Sequence, residues 1–479
     1  IPLNLEKELI THKRGYYQLN TILMKMSLKK QLFLTLTILF LAQIGYSWNE
    51  HPLFTYPALK NHPIWNSFEN IEAKELSSFL LANETSLERF LALQEEWSRH
   101  NLPNYQPCPE ALAFKATGNL ADIRERFFRA IRINPNTYAP LYRHPLPGQA
   151  FDTTQLADPH KITTLEDIST MAFVRYTWLN EGEMVAPFDV LVAATDEMDY
   201  GFDLGLFEDN NTYYGSEYKF GKQTFGNPNI EFSSQAPFHM SFYHEAAIVF
   251  RFAPFLKKTY LDYRLNLYKM LSEFAFEQGE PYWGWRFLGW SMHYLGDQTM
   301  PYHCAPLPGM SVWRMLWINL KAMLGWGQSK IDAVQLVSNR HLVMERYVWE
   351  VMRKAYLEND YQHPYFQALE NPYPPQTYND RFVYDVVSKQ SVEKARNCDR
   401  TLRECFPPVL VNDPKVEASD RKEMDDMLTT VLNYSGQEGV DKLDQMIAER
   451  FRAYSFAMRA LLEDVLPKIN RQPEEITQR

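Results

Sequence analysis

From Ala246 to Tyr294 apolar residues recur at three- and four-residue spacing, the period of a helix with one buried face. Gly279-Glu280-Pro281 interrupts the run. Glycine lets the backbone leave the helix and proline withholds the next amide, so one helix should end there and another begin. The same period predicts helices at about 310–325, 331–358, 421–433 and 437–468. Between about 132 and 237 Pro, Gly, Asn and aromatic residues crowd without periodicity, which predicts long ordered loops with a few short elements. The stretch 370–415, rich in Pro, Asn and Asp, reads as an irregular excursion. No internal repeat stands out, and no alternating pattern near the C-terminus suggests a β-sandwich. The expected fold is all-α: a multi-helix bundle decorated by long loop insertions.

Composition refines this at three points. The formal net charge is −10, so nothing resembles the basic stripe of a nucleic-acid binder, and no nucleic acid is expected as partner. From Met24 a secretory signal is legible. Lys25, Lys29 and Lys30 precede an apolar run from Leu32 to Ala42, and Gly45 and Ser47 give the small residues of a cleavage site. A run of about eleven residues is short of the roughly 20 that span a bilayer. Residues 1–47 therefore read as an upstream extension and signal, and 48–479 as one secreted domain beginning at Trp48. The four cysteines, Cys108, Cys304, Cys398 and Cys405, could form up to two bridges in an exported protein. Cys398 and Cys405 are the pair expected first, on condition that a turn separates them, because seven residues of straight helix rise about 10.5 Å.

The chemistry concentrates in His293-Tyr-Leu-Gly-Asp297-Gln-Thr-Met-Pro301-Tyr-His303. His293 and Asp297 are four apart, so they leave one face of a helix and can grip one cation. Pro301 should stop the helix and turn the chain so that His303 faces back. Downstream, His341 and Glu345 repeat the geometry. Imidazole and carboxylate together suit zinc. A single such pair is common on helices without any metal; the combination is what has weight.

The eleven-residue motif, the second pair and a signal ending before Trp resemble the bacterial zinc-dependent phospholipase C family, which shares its fold with the fungal and plant single-strand nucleases. The likeness extends upstream through Arg264 to Trp290. It implies three zinc ions in the bundle. One would take the α-amine and carbonyl of Trp48 with His51, His62 being the rival. A second would take His239, His293 and Asp297, with His244 competing for the first place and Asp297 shared between the two ions. A third would take His303, His341 and Glu345. The family's water-orienting carboxylate maps best to Asp196, in Ala-Thr-Asp-Glu-Met-Asp-Tyr-Gly, with Asp199 as alternative. About 148 residues separate Trp48 from Asp196, more than compact members need, which implies an insertion at about 64–185. The membrane-binding C-terminal β-sandwich of the family's toxins is not expected here.

The resemblance also implies an activity: hydrolysis of the glycerol-side phosphodiester of phospholipids such as phosphatidylcholine, by a monomer acting on head groups at a membrane surface. A zinc nuclease or 3′-nucleotidase of the same fold is the first alternative, and a secreted binding protein with structural zinc the second. Cys304 and the histidines His100, His144, His160 and His363 carry no ligand pattern and are expected to be structural.

Overall fold

The computed structural model describes residues 50–469. The segment read as a signal peptide and the first expected ligand, Trp48, lie outside the described residues.

The chain is mostly helical. Among the described residues the first helix is α1 (Pro52–Leu59), and a short helix at Leu76–Ala82 precedes α2 (Glu84–Asn101). Loops interrupted by short helices at Ile123–Ala130 and Tyr213–Tyr218 then lead through α3 (Pro187–Ala194), α4 (Glu231–His239) and α5 (Ala247–Phe252). The centre is built by α6 (Leu261–Glu277), α7 (Pro281–Asp297) and the single turn α8 (Pro301–Cys304). After α9 (Val312–Met323) come the long α10 (Gln328–Glu358), α11 (Lys389–Cys405) and α12 (Met427–Ile469), the last kinked at Gly436. Among the described residues, strands occur only as two-residue antiparallel pairs, Ile71–Glu72 with Met184–Val185 and Tyr142–Arg143 with Thr177–Trp178.

The helix α7 lies at the middle of the bundle, with every residue from Tyr282 to Asp297 buried. Pro281 starts it where an amide partner is not needed. It packs along α6 on one side and α3 on another. The second contact is possible because position 289 has no side chain: a Cβ there would stand 2.6 Å from the Ala194 Cβ and 2.7 Å from the Leu191 carbonyl oxygen. Trp283, Trp285 and Trp290 on this helix are fully buried, and truncating such rings typically costs about 3–5 kcal/mol each.

The break at 279–281 falls as the sequence predicts, and 421–433 with 437–468 join in the kinked α12. The excursion at 370–415 is less irregular than expected, since it contains α11, entered through a wider π turn at Val383–Ser388. The buried stripe of α11 consists of Ser391, Ala395, Cys398, Leu402 and Cys405, helical in period but too small and polar to register as apolar. Residues 64–185 are no separate unit: Phe79, Leu80, Leu87, Phe127 and Phe128 belong to the same core as α6 and α7.

The expected disulfide is corrected. All four cysteines are free, and Cys398 and Cys405 lie two turns apart on an unbroken helix, beyond bridging distance. Cys304 is buried and donates to the Gln298 carbonyl, and its thiol is pushed up to about 12 by burial. No helix among the described residues is long and apolar enough to cross a membrane.

Candidate metal centre

Five separate elements converge on Asp297. It leaves the last turn of α7 on the same face as His293. Pro301 begins α8, which swings His303 back over that turn. His239 closes α4, and His51 immediately precedes α1. The second pair, His341 and Glu345, arrives on α10. All of these side chains are buried.

Asp297 uses its two oxygens on different sides. Oδ1 lies 3.5 Å from His51 Nε2 and 3.6 Å from His303 Nδ1. Oδ2 lies 2.9 Å from His239 Nδ1 and 3.5 Å from His293 Nε2. His239 Nδ1 and His293 Nε2 are 3.1 Å apart. Beyond His303, its Nε2 stands 3.1 Å from His341 Nε2 and 3.8 Å from Glu345 Oε1, which in turn is 2.8 Å from His341 Nε2. In a tetrahedral zinc site with bonds near 2.0–2.1 Å, ligand atoms sit about 3.4 Å from one another, so these separations match a shared cation. Three groups of potential ligands result: His51 with His293 and Asp297; Asp199 with His239 and His293; and His303 with His341 and Glu345.

The surroundings fit a metal rather than a closed hydrogen-bond network. Both carboxylate oxygens of Glu345 are fully buried and make no hydrogen bond of acceptable geometry, despite the short approach of His341. Burying a carboxylate in that way is costly unless a cation faces it. His293 Nδ1 donates to the Thr195 carbonyl oxygen at 2.7 Å, which fixes the tautomer and turns the Nε2 lone pair toward the cluster. Asp203, held by the Arg264 guanidinium and the Tyr294 hydroxyl, stands 3.5 Å behind His239 Nε2.

The electrostatics tell the same story. Burial alone would raise Asp297, but the imidazoles of His293, His303, His239 and His51 outweigh it and hold the carboxyl well below its ordinary range. Burial, then the carboxylates of Asp297 and Asp199, push Glu345 well up. Burial, with a neighbouring imidazole, pushes His293 and His341 well down, so their nitrogens carry lone pairs. Burial works against the charged form of His239, yet Asp203, Asp297 and Asp199 bring it up to about 10. A cation bound among these groups would take over the role of that proton.

Where the sequence left pairs of histidines open, geometry separates them. His51 enters the cluster; His62 caps a short 3₁₀ turn beside Glu463. His239 enters it; His244 faces the Tyr384 carbonyl near the surface. Among the carboxylates of residues 196–203, Asp196 is turned to scaffolding. Its Oδ1 accepts the His51 backbone N–H at 3.0 Å, its Oδ2 accepts the Tyr200 hydroxyl at 2.9 Å, and it belongs to none of the ligand groups. Asp199 is the one that reaches the imidazoles, with Oδ1 3.6 Å from His293 Nε2. Glu197 anchors the turn to α7 by accepting from Arg286, Trp290 and Tyr142. Asp203 carries no sequence pattern of its own beyond the repeat of aspartates at 196, 199 and 203 at helix-like intervals.

Gly296 explains how His51 reaches the centre. A Cβ at that position would lie 2.6 Å from the Tyr454 ring and 3.2 Å from the His51 ring. The other histidines stay outside: His100 bonds its own helix, His160 lies in a surface turn, His363 caps residues 364–370, and His144 is buried 3.7 Å from Glu50. Beside the cluster lies a narrow cleft of about 30 Å³ lined by Glu50, Asp199, Tyr176, Tyr200, Phe232 and Trp349. Comparison of the chain with family models, with curated proteins and with solved structures finds no match.

Proposed function

We propose that this chain is a zinc-dependent phospholipase C, hydrolysing the glycerol-side phosphodiester of phospholipids such as phosphatidylcholine to diacylglycerol and phosphocholine. The observation that carries it is the sharing of one buried carboxylate, Asp297, among four imidazoles, with His341 and Glu345 beyond them. Three ions would be distributed as follows. A single nitrogen ligates one ion, and His293 offers only Nε2, so Asp199, His239 and His293 would form one site, into which Asp297 would be shared. His51 and Asp297 would form a second, completed by the amine and carbonyl of Trp48. His303, His341 and Glu345 would form the third. Zinc bound there supplies positive charge for the phosphate oxygens and lowers the pKa of water toward neutrality.

The protein's own groups do the rest. Thr195 and Asp203 hold the His293 and His239 rings in orientation. Asp199, half-buried at the cleft, is placed to orient a water or accept its proton, the role that the sequence assigned to Asp196. The narrow cleft beside it is lined by the Asp196 and Asp199 carboxylates and by no Lys or Arg among the described residues, which disfavours a polyanion.

An assay panel tests this: phosphatidylcholine, single-stranded DNA and 3′-nucleotides, each with and without chelator. Phosphatidylcholine hydrolysis that chelator abolishes and zinc restores is the expected result. Hydrolysis of the nucleic-acid substrates alone would replace the lipase by a nuclease, and zinc binding without turnover would leave a structural metal. Secretion bears on the second ion. With one residue left ahead of Trp48 its amine becomes an amide without an available lone pair, so a Gly-extended chain should hold less zinc than one starting at Trp48. Equal zinc content in both would remove Trp48 from the ligand set.

A further inference from the structure

We infer that the outer face of α9, with the neighbouring α5, docks on the surface of an anionic phospholipid bilayer. The inner face of α9 accounts for the fold: Met315, Ile318 and Ala322 are buried, and Met315 shares a small core with Val249 and Leu256. The opposite face is apolar too, and nothing among the described residues covers it. Trp313, Trp317, Leu320 and Leu324 form one stripe along the helix, and Trp326 follows directly after it. Trp313 is 82% exposed, Trp326 68% and Trp317 57%. Large rings exposed together are unusual on a soluble surface and mark a contact site. Tryptophan is also the side chain that settles at the boundary between head groups and acyl chains. Ile248 and Phe252 extend the exposed apolar surface on α5, which packs against α9.

Charge selects the occupant. No Asp or Glu occurs from residue 298 to 331 or from 246 to 261, in a chain whose net charge is −10. The exposed charges on these segments are Arg314, Arg251, Lys257 and Lys258, and the Lys321 ammonium lies 5.6 Å over the Trp317 ring. An apolar aromatic stripe whose own segments carry cations and no carboxylate, with Glu245 and Asp332 just beyond their ends, matches an anionic lipid surface. A second copy of the chain is disfavoured, because a two-fold contact would bring the same cations face to face. The inference is independent of which phosphate ester the metal centre takes.

Co-sedimentation of the full protein with vesicles tests it, using phosphatidylcholine alone and phosphatidylcholine mixed with phosphatidylglycerol. The protein should bind the anionic vesicles more tightly, and added salt should weaken that binding. The variant Trp313→Ser/Trp317→Ser/Trp326→Ser should lose at least about tenfold in partition. Arg314→Glu/Lys321→Glu should lose the preference for anionic vesicles, at about fivefold or more per charge from roughly 1 kcal/mol each. Circular dichroism and metal content should stay as in the parent; if the triple variant fails to fold, Trp313→Ser alone carries the same test. Wild-type-like binding by the variants, or equal binding to both vesicle types, would overturn the inference. So would a concentration-dependent doubling of mass that the Trp variant abolishes, which would assign the face to a second copy. Turnover is not read, so failure here leaves the phosphodiesterase to its own assay.

Discussion

A buried imidazole next to a cation has to present a lone pair, and the Thr195 carbonyl imposes that on His293. His293→Ala and Glu345→Gln should each lower the bound metal and abolish phosphodiester hydrolysis, measured by metal analysis alongside turnover. Full metal content with near-normal turnover in His293→Ala would remove it from the ligand set. Asp199→Asn should lose at least about 10²–10⁴ in turnover, as expected for a group that orients or deprotonates the nucleophile, and should also hold less metal, because Asp199 belongs to a ligand group. Asp196→Asn should instead act on the placement of His51, because it weakens the acceptor of that residue's backbone N–H. If Asp196→Asn is the inactive variant and Asp199→Asn is not, the two roles are reversed. The helix-borne ligands were legible because i,i+4 spacing alone places His293 with Asp297 and His341 with Glu345. Asp199 and Asp203 were harder to read, since they face the centre only after Glu197 is pinned by Arg286 and Trp290 from α7.

That pinning is where elements meet. Arg286 and Glu197 are both buried, and removing one partner of such a pair typically costs about 3–5 kcal/mol. Glu197→Ala should therefore lower the urea midpoint by a corresponding amount and, by releasing the 196–199 turn, loosen metal binding as well. Unchanged metal affinity in a destabilised variant would separate the anchor from the centre. Far from the ligand cluster, Glu84 ties α2 to the loop at 115–122 and to the helix that follows it: it accepts from the Gly118 N–H at 2.7 Å and from Arg126 at 2.9 Å. Burial opposes ionisation, but the amides of Thr117 and Gly118 and the Arg126 guanidinium outweigh it, so the carboxyl lies below its ordinary range. Its contribution is then fully present above the unfolded value near 4.3 and is lost as pH falls through the lower folded value. Glu84→Gln should cost on the order of 1–3 kcal/mol at neutral pH, and the difference from the parent should shrink on acidification toward pH 3. A constant difference across that range would show that the charge is not what matters. The long helices α6, α7, α10 and α12 could be read from their apolar period, whereas α11 could not, because its buried side chains are mostly small or polar.

Across the whole molecule the centre closes the bundle on itself. If the cations stabilise the native state alone, removing them with chelator should lower Tm, and zinc should restore it in proportion to the logarithm of its free concentration. A Tm indifferent to chelator would mean that the helices do not need the metal to hold together. The helices α1 and α12 meet at this point: the Thr55 and Tyr454 hydroxyls share a hydrogen bond of 2.7 Å, Arg459 donates to the Ala58 carbonyl, and Tyr454 lies against His51 across 403 residues of sequence. That contact has a consequence for biosynthesis. At about 5–20 residues per second, His51 leaves the ribosome on the order of half a minute before Tyr454 is made. Every candidate ligand has been made once Glu345 is added, but until α12 emerges the His51 ring lacks the Tyr454 side chain it rests on, so the cage is unsupported at that ligand and holds a cation poorly. A chain released before Met427 should accordingly bind little metal even when its other helices form, and pulse-labelled ribosome complexes of graded length would show retention rising only once α12 has emerged.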